Sequence, residues 1–382
     1  QHPSKIKKQR NLLSIMPIET PVIANYTSSK LSTDQVELYL THTGGHLAPV
    51  NFHLPDRTVS PYAMNPWVDE PIADDMPNLI KVLRGDFFCL PFGVSDQLPH
   101  PHGATANNEW TPISSEGNKL VMEIEPDDIG GKVTKEVSLR DGQYAIYQKH
   151  TITGIEGSYN YGHHPIIEFP EHGGPFAIHT SPFIHGQVYP GAFEDPANGG
   201  HSSLKEGAIF TSLDQVPMAD GSTTSLAQYP AREGFEDLVL FSAAEQDLAW
   251  TAVTLDGYAW ISLKNPKQFP STLFWISNGG RHYQPWNGRH KNRIGIEDVC
   301  SYFHEGLESS RSNKLPHGIA TTADFSKDQP TELCHIQMVH PLPGGFCAVE
   351  HIRYDSAKKG IWLSDAQGQE IFDPVDCSFL GY

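Results

Sequence analysis

Apolar and polar residues alternate at a period of two along much of this chain, and glycine and proline break the alternation at short intervals. Leu120, Met122 and Ile124 fall on one side of such a stretch and Glu123 and Glu125 on the other; Ala259, Ile261 and Leu263 alternate with Ser262 and Lys264 in the same way. Period-two strings predict half-buried antiparallel strands, one face on a core and one in water. Asp141-Gly142 lies between Val137-Ser138-Leu139 and Tyr144-Ala145-Ile146, and Asp256-Gly257 between Trp250-Thr251-Ala252-Val253 and Tyr258-Ala259-Trp260. Asp-Gly supplies the positive φ that tight hairpin turns require, so both are hairpin signals. Two further strand pairs are expected, one with Leu333 to Val339 and Phe346 to Ile352 on either side of Pro341 to Gly345, and one between Gly360 and Phe372. The 33 glycines and 30 prolines among 382 residues keep the elements short. Only Asp298 to Ser310 suggests a helix, with Asp298 as N-cap and Val299, Tyr302, Phe303 and Leu307 on one side. The expectation is an all-β fold of large twisted antiparallel sheets with few short helices. Residues 1–382 read as one domain, with residues 1–30 as an N-terminal extension and residues 187–235 as a loop-rich excursion over one rim.

Charge narrows the partners. With 27 Lys+Arg against 45 Asp+Glu the net charge is −18, which excludes binding to nucleic acid through a broad basic face. The longest apolar run, Phe87 to Phe92, is broken by Pro91 and falls far short of the roughly 18 residues of a membrane span. No membrane partner is expected, and the chain reads as a soluble monomer or homodimer. Lys5, Lys7, Lys8 and Arg10 are not followed by an apolar run, so the chain as given shows no signal peptide. The five cysteines (Cys89, Cys300, Cys334, Cys347 and Cys377) cannot all pair and have no Cys-x-x-Cys spacing. Buried thiols in a reducing, cytoplasmic compartment are the expectation.

Twenty histidines gather in short phrases with glycine and proline, and each can be read in two ways. His100 and His102, two apart, could hold a metal with Glu109; otherwise His100 lies in a proline-rich loop and never meets His102. His163 and His164 cannot both enter one pocket from a strand. Pro165 favours an extended His164, which shares its face with Gly162 and Asn160, a ligand-facing set; His163 shares its face with Tyr161 and Tyr159 and reads as a packing residue. Glu297 is either a helix-start carboxylate or a site residue. Arg84 is either a structural ion-pair partner of Asp86 or a substrate clamp. Trp67, Trp110 and Trp286 lie in turns, where indoles either stack on sugars or cover a core edge. Arg281, Arg289, Lys291 and Arg293, with His282 and His290, crowd before Glu297. They form either a positive rim suited to a phosphorylated or acidic sugar, or a solvated loop paired with Asp and Glu.

Taken together, the phrases resemble the galactose mutarotase (aldose 1-epimerase) superfamily. An arginine-bearing strand ends in Leu90-Pro91-Phe92-Gly93; then come His102-Gly103 with Trp110, Gly162-His163-His164-Pro165 with Phe169, and Gly295-Ile296-Glu297. Their order and rough spacing are similar to those of the family's His-Gly loop, second histidine and catalytic glutamate, over about residues 30–355. The Asn-His-Thr-Tyr-Phe phrase of the best-known members is missing, so the chain looks like a divergent branch. The resemblance implies a β-supersandwich whose concave face holds a small-molecule carbohydrate, and interconversion of sugar anomers. Glu297 would be the base, His164 the acid, and His102 and Arg84 would hold hydroxyls or the ring oxygen. Asn160, Trp67, Trp286 and Arg281 would complete the sugar-binding set, with no metal or other cofactor. The rivals are a non-catalytic carbohydrate-binding module on the same fold, a metal-dependent cupin-like enzyme using His100, His102 and Glu109, and a sugar lyase or hydrolase with a further acid/base group.

Overall fold

The computed structural model describes residues 17–94 and 97–381; the basic Lys5 to Arg10 segment lies outside the described residues. The architecture is nearly all-β, as the period-two pattern predicts. Both Asp-Gly turns make hairpins, the first joining Lys132–Leu139 to Ala145–Thr153 and the second joining Ala249–Thr254 to Tyr258–Lys264. These strands belong to a nine-stranded antiparallel sheet with Thr331–Pro341 at its centre. An eight-stranded sheet carries Phe235–Ala243, Ser271–Asn278, Arg293–Cys300, Tyr161–His163 and Phe88–Cys89 in that spatial order. One core cluster joins the two sheets, with Trp260 and Val339 from the first packed together with Phe274, Ile276, Ile294 and Ile296 from the second. Burying such side chains is the main drive for two sheets to stack.

The alternation in Tyr258–Lys264 has a different meaning from the half-exposed strand expected. Every residue of this strand is buried. Ala259, Ile261 and Leu263 pack on Ile361 and Leu363 of a three-stranded C-terminal sheet, His351–Asp355, Gly360–Ser364 and Glu370–Pro374. Lys264, on the opposite face, turns into the sandwich and not to water, where it pairs with Asp298. The hairpin expected around Pro341 to Gly345 does not form, because His351–Asp355 pairs with Gly360–Ser364 instead of returning to Thr331–Pro341.

The helix expected from Asp298 is also overturned. Arg293–Cys300 is a fully buried strand paired with Ser271–Asn278, and the only helical residues of that segment are Leu307–Arg311. A strand already in place on each side offers every backbone group a partner, which outweighs the helical spacing of Val299, Tyr302, Phe303 and Leu307. The 187–235 region is tied to both large sheets: Ile209–Phe210 pairs with Phe183–Val188, and Gln228–Tyr229 with Phe176–Thr180. Residues 22–32 form the first two strands of a five-stranded N-terminal sheet. Among the described residues no helix is long and apolar enough to cross a membrane.

Candidate active site

The outer face of the eight-stranded sheet carries a cleft of about 500 Å³. Alternation decides which side chains reach it. In Arg293–Cys300, Ile294, Ile296 and Asp298 point into the sandwich, while Gly295 and Glu297 point to the cleft side. Across the register, Leu273 lies opposite Glu297 and Trp275 opposite Gly295. A Cβ at Gly295 would stand 2.6 Å from Glu297 Oε1 and 3.2 Å from Trp275 Cβ, so the Gly-x-Glu spacing leaves the carboxyl its room. On the neighbouring strand His163 turns inward and His164 outward, and the imidazole Nε2 of His164 lies 3.2 Å from Glu297 Oε1. The two groups stand side by side, not on opposite walls of the cleft.

Aromatic rings fix this pair. His164 stacks on Phe87 at 4.5 Å, and its backbone N–H donates to Asp86 Oδ1 at 2.9 Å. His102 meets His164 edge-on at 5.1 Å. Gly93 N–H donates to His102 Nδ1 at 3.1 Å, so in the neutral ring Nε2 carries the proton and is a donor. His102 itself has φ 60°, a left-handed backbone uncommon outside glycine that turns its side chain inward. At the other end of the cleft the Arg281 guanidinium sits over Trp286 at 4.6 Å, Trp275 at 5.3 Å and Phe193 at 5.5 Å, and it pairs with Glu194. Behind the cleft wall, buried Glu236 accepts from Trp275 Nε1 and Ser277 Oγ, each at 2.9 Å.

Burial dominates the electrostatics. It pushes the Glu297 carboxyl well above the usual carboxylate range and His164 down to about 4. Moving the shared proton from imidazole to carboxyl removes two buried charges, so burial favours a neutral carboxylic acid beside a neutral imidazole. Desolvation also holds His102 well below its ordinary value and His304, on the same cleft, down to about 4.

Glu297, His164, His102, Trp286 and Arg281 all line this cleft. The other expected residues are elsewhere. Arg84 is buried and donates to the carbonyls of Val82, Ile23 and Ala24, each at 3.0 Å; it ties down the first hairpin. In this segment Leu83 and Phe87 face the cleft, so Arg84 points the opposite way, and it forms no ion pair with Asp86. Asn160 is also buried, donating to Phe92 O at 2.7 Å and Ser301 Oγ at 3.0 Å, and it supports the wall behind His102 without entering the cleft. Trp67 covers a core edge: its indole donates to Ile80 O at 2.8 Å and meets Trp286 edge-on at 4.9 Å. Trp110 is buried too. The metal set does not assemble, because His100 pairs with Asp127, Glu109 accepts from Thr43 and only His102 faces the cleft. The positive rim is neutralised residue by residue: Arg281 by Glu194, Arg289 by Glu70, Lys291 by Glu233 and Arg293 by Glu168.

Sequence reasoning missed Trp275, Phe193, His304 and Phe87, which also line the cleft. Trp275 reads as strand core, Phe193 as part of a loop and His304 as part of a helix. Only the pairing of Trp275 with Gly295 would have flagged one of them.

No protein-family model matches the sequence, and no curated protein matches it. Solved structures do match. A galactose mutarotase related enzyme from Lactobacillus acidophilus superposes with a TM-score of 0.54 at 10% identity, covering 83% of this chain and 98% of that one. A galactose mutarotase-like protein from Lactobacillus casei ATCC 334 gives 0.54 at 13% identity, covering 82% and 100%. An Escherichia coli K12 protein provisionally named an aldose 1-epimerase gives 0.56 at 14% identity, covering 83% and 99%. The chain therefore has the galactose mutarotase-like fold.

Proposed function

We propose that this protein is an isomerase of the aldose 1-epimerase kind, exchanging the anomers of a neutral sugar with Glu297 and His164 as its acid–base pair. The observation that carries the reading is the 3.2 Å contact between these two groups in an aromatic-lined cleft. Anomer exchange takes the proton from the anomeric hydroxyl and delivers one to the ring oxygen. The bond between the anomeric carbon and the ring oxygen breaks, the aldehyde rotates, and the same transfers run backwards to close the ring. Both oxygens are bonded to one carbon, so an acid and a base standing side by side can serve them together.

One proton on the pair is sufficient. Opening and closing are mirror steps, so each group donates once and accepts once per exchange, and the oxygen it faces sets the order. With Glu297 on the anomeric hydroxyl and His164 on the ring oxygen, sugar hydroxyls that donate to the carboxylate offset its desolvation and draw the proton onto the imidazole. The His102 Nε2–H and the Arg281 guanidinium are further donors for ring hydroxyls, and Trp275 and Trp286, which that guanidinium lies over, hold it in place. Neutral sugars are favoured because Arg281, Arg289, Lys291 and Arg293 are each paired with a carboxylate.

The test is an NMR exchange assay on neutral aldoses and their 6-phosphates. Exchange on a neutral aldose at least as fast as on its phosphate supports the reading. Tight sugar binding with no exchange across the panel would replace it with a non-catalytic carbohydrate-binding protein.

A further inference from the structure

A second cavity, of about 990 Å³, lies beside the cleft and shares two of its walls, Phe193 and Leu238. Its other walls come largely from the 187–235 region and include Tyr189, Leu204, Glu194 and Ala219. A chain of contacts connects the acid–base pair to the wall that the two cavities share. His164 lies 5.8 Å from the Trp275 ring, Arg281 sits over that same ring at 5.3 Å, and Phe193 is next to Arg281 at 5.5 Å. A pyranose in the first cleft with its anomeric carbon at Glu297 and His164 points its far hydroxyls towards Arg281 and Phe193.

We infer that the second cavity is a subsite for another glycosyl unit, so that the preferred substrate is a neutral reducing disaccharide or longer oligosaccharide linked through the hydroxyl farthest from its anomeric carbon. This deepens the isomerase reading and rests on it for the placement of the reducing end. Phe193 is the partition that the glycosidic bond passes. Tyr189 supplies an aromatic surface, and Glu194, on the wall of the second cavity, is an acceptor for hydroxyls while it holds Arg281 in place. A single neutral ring at Glu297 and His164 would use only the first cleft and leave the second unfilled.

The experiment compares a monosaccharide with the matching 4-linked reducing disaccharide, by calorimetric binding and by NMR anomer exchange, on the wild-type chain and on Ala219→Trp. Ala219 is exposed and outside the first cleft, so the indole fills the second cavity without touching Glu297 or His164. The disaccharide is expected to bind about tenfold tighter than the monosaccharide, and Ala219→Trp to remove that advantage while leaving the monosaccharide unchanged. Equal binding of the two sugars to the wild type, or an advantage that survives Ala219→Trp, overturns the subsite. Disaccharide preference in binding with no exchange on either sugar overturns the isomerase reading alone.

Discussion

Two acid–histidine clusters lie back to back on the same pair of strands, and one residue of sequence separates their partners. Inside the sandwich, Asp298 accepts from Lys264 Nζ at 2.8 Å, His335 Nε2 at 2.7 Å and Thr272 Oγ1 at 2.8 Å. Asp86 accepts from His163 Nδ1, Gln148 and Gln337 at 2.9, 2.9 and 2.7 Å. On the cleft side Glu297 has His164 as its one polar partner among the described residues. All three carboxyls are buried, and burial alone would raise each of them. Lys264 and His335 overcome it for Asp298, and His163 with the amides overcomes it for Asp86, so both are held well below the carboxylate range. Nothing overcomes it for Glu297, which is pushed up. A saturated cluster holds its charge and the fold around it; an unsaturated one keeps a transferable proton and donor–acceptor capacity for a ligand.

Substituting the two adjacent histidines separates these roles most sharply. His164→Asn is expected to lower anomer exchange by about 10²–10⁴-fold, the scale of a lost acid–base group, with little change in melting temperature. His163→Asn should leave turnover within a few-fold and instead cost about 1–3 kcal/mol in denaturant unfolding, because it leaves buried Asp86 short of a partner. If both variants lose turnover equally, the two faces are not functionally distinct.

The inner carboxyl offers the converse. Asp298→Asn should destabilise the protein by about 3–5 kcal/mol, since Lys264 would remain buried without its counter-charge. Acid should act in the same direction. The depressed Asp86 and Asp298 contribute stability that is present above their unfolded values, near 4, and is lost as pH falls below them. A smaller effect is expected at Gly295→Ala, whose Cβ would press on the Glu297 carboxyl. Displacing a reacting group by part of an ångström should reduce exchange about 10–100-fold without affecting a neighbour of the inner cluster.

Much of this arrangement was legible in the sequence, for reasons that also mark its limit. Period-two alternation placed His163 and His164 on opposite faces, and the Asp-Gly turns gave two hairpins, because both signals are local. The role of Arg84 is not local: Leu83 and Phe87 take the cleft face of its segment, and the Ile23 and Ala24 carbonyls that it holds lie 61 and 60 residues away in sequence. The helical spacing that follows Glu297 misleads, since strand pairing with Ser271–Asn278 decides Arg293–Cys300 and no local pattern reports the partner. The pairing of every cation near residues 281–293 with a carboxylate far away in sequence, such as Glu70 for Arg289, is tertiary information as well.

The pH profile of exchange gives the gentlest test of the comparison. The pair works with one proton, so turnover should hold from neutral pH downward and fall only as His164 takes a second proton, near 4. An acid limb near the ordinary histidine value of about 6.5 would place His164 in a more solvated setting than the stack on Phe87.

Glu297→Gln measures the central claim directly, because it keeps the shape of the side chain and removes its proton chemistry. Exchange of anomers by this variant, followed by NMR beside its thermal melt, is expected to drop by about 10²–10⁴-fold. Its melting temperature at pH 7 should be equal to or above that of the wild type. A raised carboxyl costs stability as pH rises past its unfolded value of about 4.3, and the amide escapes that cost. A folded Glu297→Gln protein that exchanges anomers at the full rate would contradict the account.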